Sequence, residues 1–213
     1  LNINGRVLPV TLDEITICAE LTDGTIVKKK DKIPEVVSEK VEVIHRIFIN
    51  PSNCKPAPGV ISAIEEAEAI IIGPGSLYTS IIPNLLFSEI SDALVKTSAE
   101  CVYCCNIMTQ PGETNGYTAS DHVRALHEHA GASFVDKIIV NDEELDTETY
   151  ERYYDQKSDI VIIDECNLQE MNIEIIKSRL VSYNSVGEVR HNAKKVAATI
   201  FSLLLDIEEK REG

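Results

Sequence analysis

The feature that most constrains this chain is an unbroken apolar run, Ala69-Ile70-Ile71-Ile72, that stops at Gly73-Pro74-Gly75. A strand with one wet face alternates apolar and polar residues. Continuous hydrophobicity suits a strand buried on both faces, as in parallel sheets. From Pro58 onward short apolar runs alternate with helical stretches, the pattern of βα units. A short helix is predicted near Gly59 to Glu66, and another over roughly Ile82 to Thr97. Cys101 to Asn106 reads as the next strand, followed by a loop to Tyr117 and a helix from about Ala119 to Ala130. Lys137 to Asn141 and Asp159 to Ile163 read as further strands, with a charged surface helix from Asp146 to Gln156 between them. Arg179 to Tyr183 and Glu188 to His191 read as two short strands around Asn184-Ser185-Val186-Gly187. The last helix, Ala193 to about Glu208, aligns Val196, Ile200, Leu203, Leu204 and Ile207 on one face.

The first fifty residues read as β structure. Ile15 to Leu21 and Thr25 to Lys28 flank a Thr22-Asp23-Gly24 hairpin turn, and Val41 to Ile49 forms a second apolar-rich strand. Lys28-Lys29-Lys30 suits a solvated or edge position, where charge blocks strand-to-strand aggregation. The fold class is therefore α/β, with a β-rich portion over 1–50 and an alternating portion over 51–213.

Composition narrows the function. A net charge of −15 repels phosphate backbones and anionic lipid at long range, which argues against nucleic-acid or peripheral-membrane binding. One phosphate can still be held locally, by backbone N–H groups and a well-placed Arg. No apolar run reaches the ~20 residues of a membrane helix. The chain opens at Leu1 without an initiator Met or an export signal, which suggests a cytoplasmic protein and a piece of a longer one. The six cysteines then read as free packed thiols in a reducing compartment, with metal or redox use of Cys101-x-x-Cys104 as the lesser reading.

Three loops follow strand ends, where open parallel sheets bind ligands. Gly73 to Ser80 combines glycines that allow close main-chain approach with the hydroxyls of Ser76, Thr79 and Ser80, ahead of a helix N-terminus. That build suits an anion, most simply a phosphate, although a plain strand-to-helix turn with serine caps would look the same. Asn106 to Thr118 is a long loop crowded with hydrogen-bonding side chains, functional or merely a polar surface. Thr118 and Asp121 match a capping box. His122, His127 and His129 lack the i, i+4 spacing of a metal pair and read as solvated or core-edge residues, with His122 nearest the loop. In the third loop Arg190 ends a strand beside Asn192, a candidate N-cap for the last helix. Its guanidinium could grip a diphosphate or pair with a surface carboxylate. No hydrolase triad or zinc signature is present, and no metal site is expected.

The segments Ile70 to Leu86, Asn106 to Thr114 and Asp121-His122-Val123 closely resemble the putative gluconeogenesis factor family (YvcK-like), relatives of 2-phospho-L-lactate transferase in the CofD-like superfamily. The resemblance extends from Gly5-Arg6-Val7-Leu8-Pro9-Val10-Thr11 to Arg190-His191. It implies a Rossmann-like three-layer sandwich with a mainly parallel sheet. It also implies a cytoplasmic bacterial factor that binds UDP-sugars such as UDP-N-acetylglucosamine and is needed for cell shape on gluconeogenic carbon, with a homo-oligomer, most simply a dimer, as its assembly. Membrane insertion is not implied. The transferase relatives move a phospholactyl unit from a nucleoside-diphosphate donor with Mg²⁺; only that reading would bring in Mg²⁺ here, with Glu113 and Asp121 as metal or base groups. The Gly-Pro-Gly-Ser-Leu-Tyr-Thr-Ser wording follows the gluconeogenesis-factor branch, so turnover is not implied. Carried onto this chain, the ligand-binding set is Gly73, Pro74, Gly75, Ser76, Tyr78, Thr79, Ser80, Asn106, Met108, Thr109, Gln110, Gly112, Glu113, Thr114 and Arg190. Asp121, His122 and His191 are further candidates.

There are departures. The family's Gly-Gly-Thr-Gly turn and Asp-Asp-Gly-Gly loop are absent, so the chain corresponds to the C-terminal two-thirds of one CofD-like domain and would by itself bind nucleotide poorly. Asn192 stands where the family often has Asp. The stretch Asp142 to Gln156, with seven acidic residues, is assigned only to surface.

Overall fold

A computed structural model of the chain describes residues 5–28, 30–40 and 43–212. Three strands come first, β1 (Thr16–Leu21), β2 (Ile26–Lys28) and β3 (Ile44–Asn50), in an antiparallel sheet of order β2-β1-β3. The predicted hairpin turn forms where the glycine was placed: Gly24 has φ 81, and its N–H donates to the Leu21 carbonyl at 2.9 Å. The Asp23 carboxylate accepts the Thr25 N–H at 2.7 Å, a side chain standing in for main chain at a turn. Lys28 lies exposed on the outer strand β2; Lys29 and the side chain of Lys30 are outside the described residues. A helix that sequence reasoning did not anticipate, α1 (Ile33–Lys40), precedes β3 and buries Ile33 and Val37, one turn apart. Strand β3 starts at Ile44; Val41 and Glu42 of the predicted strand are also outside the described residues.

The second sheet is parallel throughout. Its strands are β4 (Ala69–Ile72), β5 (Glu100–Cys104), β6 (Lys137–Asn141) and β7 (Glu174–Ser178), in that spatial order. Before β4 runs α2 (Val60–Glu65). Two short helices, α3 (Ile82–Leu85) and α4 (Ser88–Lys96), lead to β5. The crossover to β6 is α5 (Ala119–Ala130), bounded as predicted by Thr118 as its cap and Gly131 at φ 76. Two helices, α6 (Thr147–Asp155) and α7 (Glu165–Glu170), link β6 to β7. Central strands carry the core: Val102, Tyr103, Cys104, Ile138 and Ile139 are wholly buried. Strand β4, expected to be covered on both faces, lies at the sheet's edge and is largely half-buried.

One face of this sheet, through Tyr103 and Ile138, packs with Val123 and Leu126 of α5 and with Ile47 and Ile49 of β3. The β-rich and alternating portions thus share a core. The opposite face, through Val102, Cys104 and Ile139, is covered by a hairpin of β8 (Val181–Tyr183) and β9 (Val189–His191) and by α8 (Ala193–Glu212). Of the predicted α8 face, Val196, Leu203 and Ile207 are buried and Ile200 packs against that cluster, while Leu204 is exposed.

Two predicted elements are corrected. The helix over Ile82 to Thr97 is broken at Phe87, which takes an extended conformation (ψ 114) to place its ring in the core. The Ser91 hydroxyl donates to the Leu85 carbonyl across the break at 2.7 Å. The segment Asp159 to Ile163 is not a sheet strand; its ladder pairing, among the described residues, consists of single bridges from Ile160 to Met108 and from Ile162 to Thr118. The fourth strand is β7 instead. Five of the cysteines are packed as buried free thiols, as expected, whereas Cys166 is free but exposed. Burial pushes Cys101 up to about 12 and Cys104 up to about 11. No described helix is long and apolar enough to cross a membrane.

Candidate functional site

Register brings the loops together. Ile72 of β4 pairs with Tyr103 of β5, so the chains leaving these strands, at Gly73 and Cys105, start side by side. The β8–β9 hairpin is pinned across the same end of the sheet. Leu180 N–H donates to Asn141 Oδ1 at the end of β6 (2.9 Å), and His191 Nε2 donates to the Cys105 carbonyl (3.1 Å). Between the hairpin and the two loops lies a cavity of about 850 Å³, a volume suited to a small-molecule ligand.

The first loop presents main chain to this cavity. Pro74, Gly75 and Ser76 line it. Gly73 lies behind them at φ 82, where a Cβ would stand 3.1 Å from the Cys104 carbonyl oxygen, so the fold itself demands glycine. Gly75 is different. Its φ is outside the left-handed region and a Cβ would meet only ordinary contacts, 3.6 Å from Ser80 Cβ and 3.7 Å from Ile81 Cγ1. Ser76 sits at the N-cap of a π-type turn over Leu77–Ile81 but makes no side-chain cap. Its Oγ accepts from Gln110 Nε2 at 3.1 Å. The N–H groups of Gly75 and Ser76 have no acceptor among the described residues.

Tyr78, Thr79 and Ser80 stand off the cavity wall. Tyr78 N–H donates to Glu113 Oε2 (3.2 Å) and Thr79 Oγ1 donates to Glu113 Oε1 (2.9 Å), so Glu113 receives the start of the turn that an anion was expected to occupy. Tyr78 is buried, with its hydroxyl 2.7 Å from that of Tyr117, and burial raises its pKa far above the ordinary phenol value. Ser80 is exposed.

In the second loop Asn106, Met108, Thr109, Gln110 and Glu113 reach the wall. Thr109 is committed to the fold: its N–H donates to the Asp159 carbonyl (2.8 Å) and its Oγ1 accepts the Asp159 N–H (2.9 Å). Asn106 Nδ2 approaches Gln110 Oε1 at 3.4 Å, completing a file of polar side chains from Asn106 through Gln110 to Ser76. Thr114 lies off the wall, fully buried, accepting from Gln110 N–H at 2.9 Å. Gly112 lies off it too. A Cβ there would fall 2.2 Å from the Pro34 carbonyl oxygen, so the loop rests directly on the first turn of α1, and Pro34 joins the wall.

Asp121 and His122 serve α5 rather than the cavity. Thr118 N–H donates to Asp121 Oδ2 (3.0 Å) and Asp121 N–H to Thr118 Oγ1 (3.3 Å), the reciprocal capping box. His122 is wholly buried and its Nδ1 donates to the Thr118 carbonyl (2.8 Å). His129 bridges elements, donating from Nδ1 to Ala125 and accepting the Ile47 N–H at Nε2 (3.1 Å). Burial lowers the pKa of His122, His127, His129 and His191, holding them neutral. Among the described residues no group of three or more His, Cys, Asp or Glu side chains could hold a metal ion.

Arg190 and His191 complete the wall from β9. Arg190 Nη2 lies 2.5 Å from Glu188 Oε2, so the surface ion pair foreseen as the plainer reading does form. Asn192 caps α8 as expected, with Oδ1 accepting from Lys194 N–H (3.1 Å) and Lys195 N–H (3.2 Å). The stretch assigned only to surface supplies the rest: Arg152, Tyr153 and Gln156 of α6 line the cavity. Arg152 donates to the Gly187 carbonyl, and Tyr153 Oη accepts the Val189 N–H at 2.8 Å, bracing the hairpin. Arg152 is the single cation between Asp142 and Gln156, a signal the overall acidity of the segment masks.

These features define an α/β protein whose cleft opens at the carboxyl ends of parallel strands, with unpaired main-chain donors on one side and guanidinium groups on the other. Comparison with known proteins places the chain in a family. A family model described as 2-phospho-L-lactate transferase CofD matches residues 1–181. The chain is 43% identical to the gluconeogenesis factor of Bacillus subtilis over 204 residues, covering 96% of this chain and 63% of that protein. It is 39% identical over 206 residues to the putative gluconeogenesis factor of Clostridium acetobutylicum, covering 97% of this chain and 46% of that one. A crystal structure of a Bacillus halodurans member of the UPF0052 family superposes with a TM-score of 0.86 at 41% identity, over 94% of this chain and 63% of that chain. The chain therefore belongs to the CofD family, in the company of the gluconeogenesis factors, and spans less than two thirds of the length of these relatives.

Proposed function

We propose that this chain forms part of a binding site for a nucleoside-diphosphate sugar of the UDP-N-acetylglucosamine type, and that the protein acts as a cytoplasmic regulatory factor for cell shape during gluconeogenic growth. The observation that carries the reading is Gly75. Neither backbone angle nor neighbouring atoms require a glycine there, yet it lies on the cavity wall beside two uncommitted N–H groups. Bare main chain at such a place is what close approach of a pyrophosphate needs. Arg152 and Arg190 add positive charge across the cavity in a molecule of net charge −15. Calorimetry of the full-length protein with UDP-N-acetylglucosamine tests the reading; absence of binding would overturn it.

A second reading, a nucleotide-dependent phospholactyl-type transferase, is favoured by the description of the matching family model. Against it, the two acidic groups that would serve as base or metal ligand are engaged in the fold, Glu113 with the Leu77–Ile81 turn and Asp121 with the α5 cap. Release of nucleoside monophosphate from donor plus acceptor with Mg²⁺ would favour the transferase.

A further inference from the structure

Arg190 does not face the cavity as a free cation. Its Nη2 is 2.5 Å from Glu188 Oε2, and both side chains line the cavity. Glu188 is itself held in place: Asn184 Nδ2 donates to Glu188 Oε2 at 2.7 Å, and the Glu188 N–H returns to Asn184 Oδ1 at 2.9 Å. A guanidinium grips an oxyanion through two-pronged faces, and Nη2 belongs to both the side-on and the end-on face. The carboxylate therefore takes one of the two N–H donors of Nη2, the nitrogen the two faces share, and sets its negative charge beside the guanidinium.

We propose that Glu188 is an internal competitor for Arg190, a specificity-determining residue that a ligand must outbid with more than one negative charge. This deepens the proposed function and rests on it. The ion pair is built to be displaced. Its two side chains are 60% and 48% exposed, and pairs so exposed are weak because water screens them. A diphosphate replaces the carboxylate with two phosphoryl groups, one for Arg190 and one for the Gly75–Ser76 main chain that lines the same cavity. A lone carboxylate or an uncharged nucleoside offers Arg190 no gain over Glu188. The Asn184 contact keeps the displaced carboxylate near the cavity, where it opposes any anion that binds without engaging the guanidinium.

The test is Glu188→Gln, which keeps the shape of the side chain and its bond to Asn184 while removing the charge. The full-length protein and the variant are titrated with UDP, inorganic pyrophosphate and uridine by calorimetry. The proposal expects UDP and pyrophosphate to bind the variant roughly three- to ten-fold more tightly, the scale of losing one exposed ion pair and one nearby like charge. Uridine affinity is expected to stay the same. If wild type binds UDP and the variant binds it equally or more weakly, Glu188 is not a competitor and the proposed function survives. If uridine gains as much as UDP, the effect is not one of charge and the proposal is overturned. If neither protein binds UDP or pyrophosphate, the proposal and the functional reading fall together.

Discussion

Two glycines two positions apart in one loop, Gly73 and Gly75, should respond in opposite ways to the same added methyl group. At Gly75 an alanine Cβ meets Ser80 Cβ at 3.6 Å and Ile81 Cγ1 at 3.7 Å, ordinary packing distances. With no backbone strain to add, Gly75→Ala should leave the fold intact and stabilise it by about 0.4–1 kcal/mol, because the unfolded chain loses freedom. At Gly73 the same methyl is forced into φ 82 and lies 3.1 Å from the Cys104 carbonyl oxygen and 3.2 Å from Ile81 Cδ1. Left-handed backbone alone costs a side-chain-bearing residue about 1–2 kcal/mol, so Gly73→Ala should destabilise by at least that much. Ligand binding should separate from stability. Gly75→Ala fills the space that main-chain approach requires and should weaken UDP-N-acetylglucosamine binding by about tenfold, or about 1.4 kcal/mol, and Gly75→Val by more. Urea denaturation gives the stability of each variant and calorimetry of the full-length proteins its affinity. A stable Gly75→Val protein with unchanged affinity would refute the argument, as would a Gly75→Ala protein that is destabilised like Gly73→Ala.

Three further outcomes follow from the site and its supports. Arg190→Ala should weaken nucleotide-sugar binding by about 1.5–3 kcal/mol, the range for hydrogen bonds to charged groups, and unchanged affinity by calorimetry would retire the clamp. Glu113→Ala leaves the Tyr78 N–H and Thr79 hydroxyl without their acceptor, and at 6% exposure this should cost about 1–3 kcal/mol of stability in urea unfolding. A variant as stable as wild type would show that water replaces the carboxylate. Acid should also destabilise the protein early. Burial depresses the folded-state pKa of His122, His127, His129 and His191 below the unfolded value of about 6.5, so the unfolded chain takes up protons first. Stability is then full above about pH 6.5 and falls as pH drops through the window beneath it, toward the folded-state values. Unfolding midpoints that stay level from pH 7.5 to 5.5 would contradict this.

Much of the fold was legible because it rests on local signals. The limits of α5 coincide with a cap at Thr118 and a left-handed glycine at position 131. The β8–β9 turn follows from Asn184 and Gly187. What was missed depends on partners far along the chain. Asp159 to Ile163 is as apolar as a strand, but its main chain is spent on Ile107, Thr109 and Ala119 rather than on a sheet neighbour. Strand β7 hides its role because Ile175 and Ile176 stand between charged residues and only half-bury at the sheet edge. The cavity's loops were legible from glycine and hydroxyl content, whereas Arg152 and Tyr153 reach it only through the way α6 packs on the hairpin.

The contact of Gly112 with Pro34 bears on how far this protein can be taken apart. The cavity loop leans on the opening turn of α1, and that turn belongs to the portion before residue 50. Removing or swapping that portion as a separate module would leave the loop without its backstop. Any transplant of the cleft onto another parallel sheet has to carry this early helix with it.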